Sequence, residues 1–96
     1  MRYLRVAWLH DHADEPVELF SELDDRSWEI RKVEVFRDGS FGFADADETS
    51  GSTRLGLDPV PPPDEIALDP QFRPEIITRA EFERVWEAAH SVGQAR

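Results

Sequence analysis

The sequence contains no cysteine. A disulfide, a thiolate nucleophile and a cysteine-ligated metal are therefore excluded, and nothing in the chain asks for an oxidising compartment. Apolar runs are short. The opening MRYLRVAWLH is interrupted by Arg2 and Arg5 and is too brief for a signal h-region, and no stretch approaches the length of a membrane span. Positive charge is the third scarcity, with 11 Lys and Arg against 21 Asp and Glu and a formal net charge of -10. That balance disfavours adhesion to nucleic-acid phosphates or an anionic bilayer and makes a basic protein surface the natural complement, although it also simply keeps a small protein soluble. Catalytic signatures are missing too: no Ser or Thr stands in a nucleophile elbow and no glycine-rich loop precedes a helix. These absences predict a cytoplasmic protein with no cofactor, no nucleic-acid partner and no membrane contact.

What remains is enough for one modest core. The 96 residues are 40% hydrophobic and include three Trp and six Phe, which predicts a single domain over 1–96. Its clearest local feature is Trp28 to Ala44, two runs rich in β-branched and aromatic residues joined by Arg37, Asp38, Gly39 and Ser40, the signature of a β-hairpin. The apolar phase shifts inside it, from Trp28 and Ile30 to Val33 and Val35, which predicts a β-bulge at Arg31 and Lys32. Ahead of the hairpin, Arg2 to His10 alternates with Leu4, Val6 and Trp8 on one side, and Val17 to Leu23 is a second strand. Thr53 to Leu57 is a candidate fifth strand at an edge.

Beyond VPPP at 60–63 the character changes. Asp64 to Leu68 predicts about one helical turn with Asp64 as N-cap, stopped by Asp69-Pro70. Thr78-Arg79-Ala80-Glu81 matches a capping box, Ile77 and Phe82 occupy the positions of a hydrophobic staple, and Phe82, Val85, Trp86 and Ala89 form one helical stripe that Gly93 ends. The expected fold class is α+β: an antiparallel meander of four to five strands over 2–57, a proline-rich connection with a short turn over 58–77, and a helix over 78–92. That helix is expected on the face carrying Leu4, Val6 and Trp8.

Two constellations bear on function. His10, His12 and Asp14 are weak candidates for a metal site, because two imidazoles and a carboxylate suit Zn²⁺, but His pairs beside acids are common in loop-edge segments and no metal is expected. The acids Glu18, Glu22, Asp24, Asp25 and Glu29 cluster along the second strand and its turn, and as a contiguous negative patch they are the expected partner-binding residues. Arg31, Lys32 and Arg37 read as partners of nearby acids, and Trp8, Trp28, Phe36, Phe41, Phe43 and Trp86 read as core rather than a base-stacking platform.

Taken together, the blocks WLHDHADEPVELFSELDD, WEIRKVEVFRDGSFGFADAD, TRLG, PPPDEIALDPQF and ITRAEFERVW resemble a small bacterial family of unknown function whose members carry much the same block order over about this length. The resemblance implies a free-standing unit and brings no activity, cofactor or site residue. The leading functional reading is a small acidic protein-interaction module that binds a basic partner, with an immunity- or antitoxin-like protein as its concrete form. The alternative is a metal-dependent or small-molecule enzyme or binding protein using His10, His12 and nearby carboxylates. A third reading is a structural accessory subunit, a homodimer joined along an edge strand.

Overall fold

Pro16–Leu23 is the middle strand of the sheet, flanked on one side by Arg2–Trp8 and on the other by Glu29–Phe36. In the computed structural model, which describes the backbone of residues 1–94 and the side chains of 1–91, the elements are β1 (Arg2–Trp8), β2 (Pro16–Leu23), β3 (Glu29–Phe36), β4 (Phe41–Ala44), α1 (Pro63–Ile66), β5 (Phe72–Ile77) and α2 (Arg79–Gln94). They form one antiparallel sheet in the order β4-β3-β2-β1-β5, with α2 packed on it, an α+β fold. No helix among the described residues is long and apolar enough to cross a membrane.

The fifth strand is not Thr53 to Leu57. That segment has no strand pairing, and the edge beside β1 is filled by β5, whose Ile77 lies opposite Tyr3 and whose Phe72 lies opposite Trp8. Pro74 disguises this strand in the sequence. An edge strand tolerates a proline because one side of its backbone has no ladder to complete. The hairpin turn is as expected, with Gly39 at a φ of 88° and the Gly39 amide donating to the Phe36 carbonyl.

The strand register sorts the side chains onto two faces. Tyr3 stands opposite Glu22, Phe20 opposite both Arg5 and Val33, and Val33 opposite Phe43, so these residues share one face. Here α2 packs: Tyr3, Ile77 and Phe82 form a buried cluster, Phe20 and Trp86 pack against it, and the Phe43 ring meets the Trp86 ring edge-on at 5.8 Å. The expectation that α2 covers Leu4, Val6 and Trp8 is therefore corrected. Those three lie on the reverse face, since Ile77 shares the face of Tyr3 and delivers the chain directly into α2. The α2 start has the threonine half of the capping box, with Thr78 Oγ1 accepting from the Glu81 amide at 3.1 Å. Its end is not, because the helix runs through Gly93 to Gln94. A glycine stops a helix only where it turns left-handed, and the left-handed glycines are Gly39 and Gly51.

A bulge is present in β3 but at Ile30, one residue before the expected place. Glu22 pairs with Arg31 and Leu23 with Glu29, leaving Ile30 unpaired, so Glu29 is turned to the reverse face while Arg31 stays under α2. Trp28, just before the strand, is 39% exposed rather than core. The short α1 has Pro62 as its N-cap and Pro63 in its first turn, which displaces Asp64 from the capping role to a helical position.

Candidate functional site

Under α2 the sheet carries a charged centre. Arg31 donates to both carboxylate oxygens of Glu22, at 2.6 and 3.1 Å, and to both of Glu83, at 3.0 and 2.9 Å. Its guanidinium carbon is 4.9 Å from the Phe82 ring centre and 5.0 Å from that of Trp86. The Tyr3 hydroxyl donates to Glu22 Oε2 at 2.9 Å. Hydrogen bonds from Arg31 hold the Glu22 and Glu83 carboxyls below the usual range, while burial first and the bond to Glu22 second push the Tyr3 phenol up. Every strong donor and acceptor here is answered from within. This is a clamp between sheet and helix, its donors and acceptors turned toward one another.

Pairing of positive charge recurs elsewhere, half-buried at Arg5 and Lys32 and exposed at Arg79, Arg37 and Arg54. Arg5 pairs with Glu18, Lys32 with Glu29, and Arg79 with Glu83, while Arg37 donates to the His10 carbonyl and Arg54 to those of Gly51 and Thr53. The acids of the connections are not answered in this way. Residues 6–25 and 55–72 contain no Lys or Arg, yet they carry Asp11, Asp14, Glu15, Asp25, Asp58, Asp64, Glu65 and Asp69, all exposed.

On the reverse face the sheet is incompletely covered. Leu4 and Val6 of β1 with Leu19 and Ser21 of β2 floor an open groove of about 470 Å³. Val60, Pro61, Ile66 and Phe72 rise at its sides together with Glu65 and Asp69. Its one internal ion pair is Glu29 with Lys32, 3.2 Å apart, and the Glu29 side chain is only 5% exposed. Glu29 also accepts from Ser21 Oγ at 2.8 Å and from the Gly56 amide at 2.6 Å, so it latches the crossing segment onto the sheet. With Glu29 and Lys32 neutralising each other, the groove's net charge comes from Glu65 and Asp69.

The five expected partner-binding acids are divided by this architecture. Glu18 and Glu22 share the α2 face, where Glu18 pairs with Arg5 and Glu22 is buried against Arg31 and Tyr3. Glu29 lies on the opposite face. Asp24 accepts from the Arg26 and Trp28 amides and shapes the turn, and Asp25 is exposed. They do not make one surface.

His10 and His12 are brought together, with ring centres 5.3 Å apart, beside Trp8, whose ring centre is 4.3 Å from that of His10. His10 Nδ1 accepts from the His12 amide at 2.9 Å, and its Nε2–H donates to the Pro16 carbonyl at 2.7 Å. Both His10 nitrogens are thereby committed to backbone, and a metal would have to displace one of these bonds. Asp14 lies with His12 around a separate polar hollow of about 490 Å³. His90, far from this loop, stacks on Phe43 with ring centres 4.0 Å apart and faces Glu48.

The groove was not apparent as a site in the sequence. Its signals were the apolar parity of Leu4, Val6 and Leu19 and the acid-only stretch around DEIAL, which by themselves describe any half-covered sheet. The sequence matches the family described as Domain of unknown function (DUF6881) over residues 2–91. The chain belongs to that family. The family's span includes the groove, the acidic segment beside it and the Arg31 clamp, so all three lie within the family domain. Comparison with curated proteins and with solved structures finds no match.

Proposed function

We propose that the protein is a small acidic interaction module that binds a basic protein partner. The observation that carries this reading is the sorting of charge: the half-buried cations of the sheet, Arg5, Arg31 and Lys32, are each paired with a carboxylate, while the acids of the connections face solvent in segments that hold no Lys or Arg. A surface of that kind steers oppositely charged proteins and repels nucleic acid and anionic membranes. Neutralisation of a basic toxin, as by an immunity protein or antitoxin, is the concrete form, in the cytoplasm and without a cofactor. The rigid sheet supports it, since a preformed surface loses little entropy on binding.

The test is affinity capture from the native host on the immobilised chain, at low and at high salt, with mass-spectrometric identification. A specific, salt-sensitive partner with a basic surface is expected. Recovery of no partner, together with a metabolite bound to the purified protein, would favour the small-molecule alternative instead.

A further inference from the structure

We propose that the groove on the face opposite α2 is the docking site, and that it takes a segment of the partner in which a large apolar side chain stands beside arginine or lysine. This rests on the reading of a basic partner and adds the place and the chemistry of contact. The interior polar groups are already satisfied: Ser21, Lys32 and the Gly56 amide all meet Glu29. Nothing in the interior therefore asks for a polar ligand, and the half-buried Val6 and Leu19 beside the buried Leu4 can be desolvated further only by an apolar one.

The apolar surface also extends past the groove. Ile76, 58% exposed, lies opposite Leu4 in the register, and Leu68, 81% exposed, falls between the lining residues Ile66 and Asp69. Large side chains left in water around one concavity mark an interaction surface rather than scatter. The charges choose the occupant. The segment from Asp58 to Gln71 beside the groove has four acids, Asp58, Asp64, Glu65 and Asp69, and no Lys or Arg, so cations flanking the apolar anchor are the complement.

The experiment titrates the full ¹⁵N-labelled chain with the synthetic peptide Ac-RLRWRL-NH2, with Ac-ELEWEL-NH2 as the control. Saturable binding of the first alone is expected, with amide shifts at Val6, Leu19, Ile66 and Phe72. The double substitution Glu65→Gln with Asp69→Asn should weaken it about tenfold. Ile66→Arg, which places a cation on the exposed α1 and leaves the α2 core untouched, should abolish it, whereas Glu81→Gln on α2 should leave it unchanged. Shifts confined to the Asp11–Glu15 loop or to α2 would overturn the docking site and leave the basic-partner reading standing. Absence of saturable binding even at low salt would overturn both. Equal binding of the glutamate peptide, or self-association of the peptide-free chain through the groove, would also defeat the proposal.

Discussion

Arg31 Nη2 and Glu83 Oε2 are 2.9 Å apart although 52 residues separate them in the chain. Through this pair and the Glu22 carboxylate on its other side, α2 is tied to the middle of the sheet, and the guanidinium is packed between carboxylates and aromatic rings. The Arg31 side chain is 18% exposed and that of Glu22 9%, so this is a partly desolvated network rather than a surface ion pair. Glu83 is more exposed and contributes less.

Arg31→Met is expected to lower stability by about 3 kcal/mol, chiefly because Glu22 is left buried without its cation. For a domain of this size that corresponds to a fall in Tm of about 10–20 °C, read by thermal denaturation. An unchanged Tm would show that the aromatic packing of α2 suffices by itself.

The dependence on pH has two limbs. Glu22 and Glu83 have folded pKa values below those of the unfolded chain, so their contribution is complete above the ordinary glutamate value of about 4.3. It is lost as the pH falls through the lowered folded values. Tyr3 is the reverse case: its raised folded pKa gives a contribution complete below about pH 10 and lost as the pH rises through the folded value. Urea midpoints against pH should fall at both ends, with a shallower acid limb in Arg31→Met and a shallower alkaline limb in Tyr3→Phe.

Gly42 is required for a close approach. A methyl group there would overlap the Thr53 side chain, which is buried at 1% exposure and donates its hydroxyl to Glu34 at 2.6 Å. Gly42→Ala is expected to lose about 1–3 kcal/mol by forcing the crossing segment off the sheet. Chemical denaturation checks the loss, and amide shifts at Gly56 report whether the Glu29 latch opens with it.

Thr78→Ala removes the side-chain acceptor at the start of α2 and should lower stability by about 1 kcal/mol. Thr78→Ser should restore most of it. Equal melts for the alanine variant and the parent would mean that the Ile77–Phe82 contact alone sets the helix start.

Local chemistry made much of this fold legible. The hairpin turn at Gly39, the alternation of β1 and the cap at Thr78 all depend on near neighbours, and the structure has them as the sequence predicts. Apart from the Asp64 cap and the Gly93 stop, the misreadings concern long-range choices. Pro74 hid β5, because a proline argues against a strand unless the strand is known to lie at an edge. Leu4, Val6 and Trp8 look more apolar than Tyr3, Arg5 and Ala7, yet α2 covers the latter face, because Phe20, Val33 and Phe43 join it from other strands. The candidate acids were separated for a related reason. Parity correctly placed Glu18 with Glu22, but it also turned them toward Arg5 and Arg31, and the bulge at Ile30 sent Glu29 to the other face. The groove is formed by segments far apart in the chain, so no local pattern announced it.

Whether the exposed acids of the connections recruit a basic partner is read from the dissociation constant of the captured complex, measured by calorimetry at low and high salt. Affinity is predicted to fall about tenfold or more as surface charges are screened, and to lose most of that dependence in a variant carrying Asp64→Asn, Glu65→Gln and Asp69→Asn. A dissociation constant indifferent both to salt and to those three substitutions would contradict the account.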